Sequence, residues 1–345
     1  LKENVSLFGY GAILRMHRKD YDNPPYKKAE WRHVIDVRSS TNVKIHGLTL
    51  AESGGDGIYL GTAKRGVTNK NVHVKDVVCD ANYRQGISVI TAENLLVENT
   101  ILKNTAGTPP AAGIDFEPNH ASERIVNCVM RNCVAEDNHG CGYAFYLPNL
   151  TGKSAPISLR LENCVARGSN RASFSFTTNN QGPDGPATGL TECVDCTFAD
   201  GAGPSITIRG KPASGCRLRF VNCRFVNPAK EKPETPAIAC QTRPGNTEDV
   251  GGLEFRDCFL EDTIDRPIME YGDWARGLRL VDVTGTIKVR RDGSETVHAF
   301  TPQFLDGLCP ENVFKRFPRY DAGNVRFQPV AADPTPEDVT LRPFT

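Results

Sequence analysis

Asp115 and Glu117 stand two residues apart in the segment Gly113-Ile114-Asp115-Phe116-Glu117. If this segment is a β-strand, both side chains leave the same face, with Cβ atoms about 6.5–7 Å apart. Carboxyls so placed can hold their oxygens at the about 6.5–9.5 Å of inverting glycosidases, or close to the about 5.5 Å of retaining ones. Like charges at this range raise one of the two pKa values, which puts an acid beside a base. The chemistry expected is cleavage of a glycosidic bond, with Glu117 as general acid, Asp115 as base or nucleophile and Asp56 supporting the charge balance. The plain alternatives are a solvated acidic face for the pair and a turn residue ahead of glycine for Asp56.

Other residues of sugar-binding type fall at related positions. Tyr59 and Tyr146 offer aromatic faces to pyranose rings. Arg84 has the fork geometry for a carboxylate, in a substrate or in Asp56 or Asp115. Gln85, His139 and Asn119 supply hydrogen bonds from the turns on either side, and Trp31 is added by a loop. His139 and His120 also read as ordinary surface histidines.

These residues converge only if the chain repeats, and it does. Gly57-Ile58-Tyr59-Leu60-Gly61 recurs as Gly86-Ile87-Ser88-Val89-Ile90, Gly113-Ile114-Asp115-Phe116-Glu117 and Gly142-Tyr143-Ala144-Phe145-Tyr146. Ser173, Ser205 and Ala237 open three further copies, and Val34-Ile35-Asp36-Val37-Arg38 is an earlier one. First positions at 57, 86, 113, 142, 173, 205 and 237 give steps of 27 to 32 residues, the mark of a solenoid. In each copy the apolar pair points inward and the two variable positions point outward. One outward column reads Asp36, Tyr59, Ser88, Asp115, Ala144, Ser175, Thr207; the other reads Arg38, Gly61, Ile90, Glu117, Tyr146, Thr177, Arg209. The acids meet in the middle of the stack.

A second strand per coil is expected at Val43-Lys44-Ile45, Val72-His73-Val74, Leu95-Leu96-Val97, Leu159-Arg160-Leu161, Leu218-Arg219-Phe220, Leu253-Glu254-Phe255 and Leu278-Arg279-Leu280. A bend residue follows it: Asp76, Asn99, Asn132, Asn163, Asp195, Asn222, Asp257 and Asp282. Asn and Asp tolerate the left-handed backbone, so this column predicts a structural ladder. A third short strand is expected at Val77-Val78, at Val129-Met130 or Val134, and at Phe225-Val226. Three apolar-sided strands per coil predict an all-β, right-handed parallel β-helix, with a short C-terminal helical cap from Thr301-Pro302-Gln303-Phe304-Leu305. Residues 1–298 then form the β-helix, with an inserted loop at 17–33 that overhangs one face. Residues 299–345 form the cap and an irregular tail.

The chain of 345 residues carries 41 basic and 41 acidic residues. That balance argues against a nucleic-acid or anionic-membrane partner and slightly favours a neutral or mixed glycan. No apolar run reaches the about 20 residues that span a bilayer. No signal segment is evident, but the chain opens within a strand-like run, Val5-Ser6-Leu7-Phe8. A secreted or periplasmic location is therefore still expected. Five of the twelve cysteines (Cys133, Cys164, Cys196, Cys223, Cys258) recur at one point of the coil. Stacked about 4.8 Å apart, they predict reduced core residues and not a disulfide framework. Self-association, end to end or side by side as a trimer, is compatible with the sequence.

Over roughly residues 33–285 the chain resembles the right-handed parallel β-helix proteins of the pectate-lyase-like superfamily, which includes polysaccharide hydrolases, lyases and epimerases as well as non-enzymatic tailspikes and adhesins. Gly55-Asp56-Gly57-Ile58 is similar to the Asn-Thr-Asp-Gly coil of polygalacturonases. Arg84-Gln85-Gly86 and Ala112-Gly113 stand where those enzymes carry Asp-Asp and Gly-His-Gly. Phe116-Glu117-Pro118-Asn119-His120 is similar to the Phe-Asp-Pro-His segment of mannuronan C5-epimerases. The resemblance implies a polysaccharide or oligosaccharide substrate. Glycoside hydrolysis without a cofactor is the first expectation. The second is a lyase or epimerase acting on uronic acids, in which an acid residue or bound Ca²⁺ neutralises the carboxylate and His139, Tyr83 or Arg84 serves proton abstraction. The third is a non-catalytic glycan-binding or structural β-helix.

Overall fold

The computed structural model describes residues 2–178, 182–309, 325, 327 and 328. It is a parallel β-solenoid of about eight turns, closed by one short helix. One face is a nine-stranded sheet: Ile35–Arg38, Ile58–Gly61, Gln85–Val89, Ala112–Phe116, Tyr143–Tyr146, Phe174–Thr177, Ile206–Arg209, Ile238–Gln241 and Met269–Gly272. All but the last were expected copies. Met269–Gly272 continues the step beyond Ala237, but its charged, aromatic sequence, Met-Glu-Tyr-Gly, hides the pattern. The register is the one the two columns require: Tyr59 pairs with Ser88, Ser88 with Asp115, Asp115 with Ala144, and Thr177 with Arg209.

The other two faces are ladders of longer and shorter strands, for example Ala92–Glu98 and Ile101–Lys103, or Ile125–Arg131 and Val134–Glu136. The third strand therefore lies at Val134, and Val129-Met130 belongs to the second. The two ladders fuse at the C-terminal end through the unbroken strands Val250–Glu261 and Leu280–Arg291. Here the expected register is corrected. Leu253 pairs with Val283, so Leu278-Arg279-Leu280 lies ahead of the equivalent position and Asp282 stands opposite Gly252, not in the column of Asp257. The register shifts between Phe255 and Cys258, where Asp257 keeps the left-handed backbone of the bend column inside an otherwise unbroken strand.

Inward side chains fill the coil. Ile58, Leu60, Ile87, Val89, Ile114, Phe116, Tyr143, Phe145, Phe174, Phe176, Ile206 and Ile208 are all buried. Phenylalanines stack through it, Phe116 on Phe145 at 5.3 Å and Phe220 on Phe255 at 5.3 Å, each pair adding about 0.5–1.5 kcal/mol beyond its buried area. Tyr143 satisfies its hydroxyl on the carbonyls of Cys133 and Val165. Glycine opens several site strands because the next coil passes close: a Cβ at Gly57 would stand 2.7 Å from the Gly86 carbonyl oxygen.

The bend column is a ladder in the left-handed backbone. Asn99, Asn132 and Asn163 each donate an amide hydrogen bond to the residue one coil before, at 2.9–3.1 Å. A second ladder, Asn4, Asn42, Asn71, Asn94 and Asn127, was not read from the sequence. Every described cysteine is free, and the five repeated thiols point at backbone carbonyls of the preceding coil. Thr301 caps the helix Pro302–Leu308 by accepting from the Phe304 amide, and Phe300 carries the core stack onto it. The expected irregular segment 320–345 lies outside the described residues, except for residues 325, 327 and 328.

Candidate functional site

The outward face of the nine-stranded sheet is the floor of a groove and not an open ribbon. The loop at 17–33 and the turns ahead of each strand raise one rim; the strand ends raise the other. The loop is tied down by an isolated bridge between Arg32 and Gly54, by the Arg32 guanidinium against the Tyr21 and Tyr26 rings, and by a hydrogen bond from Thr108 to Glu30. The groove has a volume of about 630 Å³, and Arg84, Asp115, Glu117, Tyr146, Arg171, Arg209 and Arg243 are among its lining residues.

Asp115 and Glu117 share this groove, as their spacing requires, but at different depths. Asp115 is only 1 % exposed. Its Oδ2 accepts from Gln85 Nε2 at 3.2 Å, while its Oδ1 has no hydrogen-bond partner. Glu117 is partly exposed and accepts from Arg84 Nη2 at 2.6 Å. Arg84 is the hub of this end. Its Nη1 donates to Ser88 Oγ at 3.3 Å, its Nε faces Glu30 at 3.5 Å, and its Nη1 lies 4.0 Å from Asp56. One guanidinium therefore serves three carboxyl groups. Burial, then the charges of Glu117 and Asp56, push the Asp115 carboxyl well above the usual carboxylate range, with Arg84 opposing. Burial works against the charge of Arg84, but Asp56 and Glu117 outweigh it and hold the guanidinium more firmly protonated than usual. These surroundings favour the protonated form of Asp115, whereas the sequence reading gave the acid role to Glu117.

Asp56 is wholly buried against His33, whose Nδ1 stands 3.2 Å from Asp56 Oδ2. That nitrogen accepts the Asp56 backbone amide at 3.0 Å, so it cannot also donate to the carboxyl. Both Asp56 oxygens lack a hydrogen-bond donor. Asp56 belongs to the foundation of the acidic end and does not reach the groove surface. Gln85 is likewise fully buried, holding Asp115 through Nε2 and accepting the Ala112 amide through Oε1 at 2.9 Å. It positions a carboxyl and cannot touch substrate. Tyr59 is stacked on His33 with centroids 4.5 Å apart and lies under the Arg38 guanidinium, so its ring is already engaged. Tyr146 is 39 % exposed on the groove wall, with Arg243 over its ring at 5.8 Å. His139 and Asn119 are exposed in turns outside the lining, and Trp31 is 71 % exposed on the loop, also outside it.

Four residues were missed as site members: His33, Arg171, Arg209 and Arg243. A signal existed for each. His33 sits two residues before the inward Ile35, as Asp56 does before Ile58 and Gln85 before Ile87. Arg171 occupies the same turn position as Arg84, three before the inward Phe174. Arg209 was in an outward column, and Arg243 follows two residues after the end of the next strand. The groove is consequently basic beyond Asp115, which zero net charge concealed. Cys141 also lines the groove. Burial, with Asp115 second, pushes its thiol up to about 11, so it is not a thiolate nucleophile at neutral pH. Among the described residues no cluster of three or more His, Cys, Asp or Glu is spaced to hold a metal ion, and no helix is long and apolar enough to cross a membrane.

No protein-family model matches the chain, and no curated protein does. Among solved structures it is similar to the catalytic unit of the thermostable GH87 alpha-1,3-glucanase from Streptomyces thermodiastaticus strain HF3-3, at 12 % identity and a TM-score of 0.37. The match covers 76 % of this chain and 47 % of that one, so the chain spans about half the length of the glucanase unit. A likeness at this level bears on neither activity nor substrate.

Proposed function

We propose that the protein is a carbohydrate-active hydrolase that cleaves a glycosidic bond of a polysaccharide or oligosaccharide in this groove. The observation that carries the reading is the carboxyl pair itself: one buried acid that holds its proton and one partly exposed carboxylate paired with Arg84, on one strand at the floor of a groove large enough for sugar rings. Asp115 donates its proton to the leaving glycosidic oxygen, and Glu117 activates water or attacks the anomeric carbon. Gln85 aims Asp115, and Arg84 orients Glu117. Tyr146 stacks on a sugar. The proposed reaction runs on side chains alone and takes no cofactor. Substrate polymers of this kind place its action outside the cytoplasm, and buried, inert thiols are compatible with export.

The lyase reading needs a proton-abstracting base in the groove. His139 is outside the lining, Tyr83 is buried under Arg18 and Lys28, and Arg84, which does line the groove, is held protonated by Asp56 and Glu117. The two reactions separate on a panel of neutral and uronic-acid polysaccharides. Hydrolysis releases reducing ends with no ultraviolet-absorbing product. An absorbing unsaturated product would instead establish elimination, and no turnover on any glycan, by wild type or Glu117→Gln, would leave only a binding or structural role.

A further inference from the structure

Three arginines face the groove on the far side of Tyr146 from Asp115, and none pairs with a carboxylate among the described residues. Arg171 comes from the turn ahead of Phe174–Thr177, on one rim. Arg209 ends the strand Ile206–Arg209, and Arg243 follows Ile238–Gln241, both on the other rim. Elsewhere on the solenoid, arginines of neighbouring coils are tied to acids. Arg160 reaches Glu162 at 3.1 Å and Glu192 at 3.4 Å, and Arg219 bridges Glu192 and Glu254 at 3.2 and 2.8 Å. Three guanidiniums on facing walls without a counter-charge repel one another, and low-dielectric walls strengthen the field between them. Guanidinium forks match carboxylate and sulfate oxygens bidentately. Adjacent coils are about 4.8 Å apart, so Arg209 and Arg243 can hold one anion together with Arg171, about two to four coils from Asp115.

We infer that the groove takes a glycan bearing anionic groups, uronate carboxylates or sulfate esters, with one anionic sugar seated among Arg171, Arg209 and Arg243. This rests on the glycan-cleaving reading of the same groove and adds the charge of its substrate. The neutral chain as a whole attracts no polyanion; the site does so locally. Tyr146, held under Arg243, supplies the apolar contact between the anionic seat and the carboxyl pair.

The test is binding by full-length protein, measured by calorimetry with polygalacturonate for carboxylates, dextran sulfate for sulfates, neutral dextran, and single-stranded DNA as a polyanion without sugars of either type. At least one anionic glycan should bind at least tenfold more tightly than dextran and DNA, and the affinity should weaken with added salt. Arg209→Gln, Arg243→Gln and Arg171→Gln should each weaken it about tenfold with unchanged circular dichroism. Arg224→Gln, on the other sheet and away from the groove, should not. The stronger of the two anionic glycans identifies the group. Equal binding of dextran, tighter binding of DNA, or indifference to all three substitutions overturns the inference and leaves the hydrolase reading standing. If no glycan binds at all, both fall.

Discussion

The two halves of the groove are built from the same repeat and do opposite things with charge. At the acidic half, from His33 to Glu117, the charges are interlocked: Glu30, Asp56 and Glu117 all lie within 4.0 Å of one guanidinium, and the surroundings of Asp115 favour its protonated form. At the basic half, from Arg171 to Arg243, the guanidiniums are more exposed and have no described acidic partner. An interlocked cluster fixes geometry and tunes pKa, which chemistry needs. Unpaired cations keep their charge available for something that arrives. The contrast separates a half that acts on a bond from a half that holds the chain being cut.

The comparison breaks most sharply at Glu117. Glu117→Gln should lower kcat about 10³-fold with little change in KM, as loss of a general base or nucleophile does; a KM effect alone would move Glu117 to the binding half. Asp115→Asn should lower kcat about 10²-fold or more and remove the alkaline limb of the pH–rate profile. Stability should respond in the opposite sense. Because the folded-state pKa of Asp115 lies above its unfolded value, its contribution is fully present below the ordinary carboxylate pKa and is lost as pH rises toward the folded value. The melting temperature of Asp115→Asn should therefore gain on wild type as pH rises above the ordinary carboxylate pKa of about 4, and a gap that does not widen with pH would contradict the proton assignment. Arg209→Gln and Arg243→Gln should each raise KM about tenfold with kcat kept, the size of one charge-assisted hydrogen bond. Gln85→Ala should shift the acidic half by loosening Asp115, seen as a moved pH optimum with unchanged KM. Smallest of all, Arg167→Gln on the outer face removes an exposed pair with Glu136 and should alter stability by less than about 1 kcal/mol and activity not at all.

The fold was legible because a solenoid writes its rule repeatedly. The inward pairs from Ile58 and Leu60 to Ile206 and Ile208, the Asn ladder through Asn99, Asn132 and Asn163, and the stacked cysteines each state one coil several times over, so a single substitution cannot hide the pattern. Legibility failed where the repeat was interrupted: the last long strand pairs so that Asp282 stands opposite Gly252, out of its column, and Met269–Gly272 lacked the small opening residue. Register placed Asp115, Glu117, Tyr146 and Arg209 on one face from spacing alone.

Depth and pairing were another matter. Nothing in the spacing shows that Asp115 and Gln85 lie under the surface, that His33 occupies the face of Tyr59, or that Arg84 chooses Glu117 at 2.6 Å. The amino-acid sequence by itself determined which side of each strand a residue faces and which coil it belongs to, because alternation and repeat length are local properties of the chain. Only the tertiary structure decided which of those residues are covered, which charges neutralise one another and which are left to a ligand. Burial and ion pairing depend on how high the loops between coils rise and where long side chains reach, and no strand period encodes either.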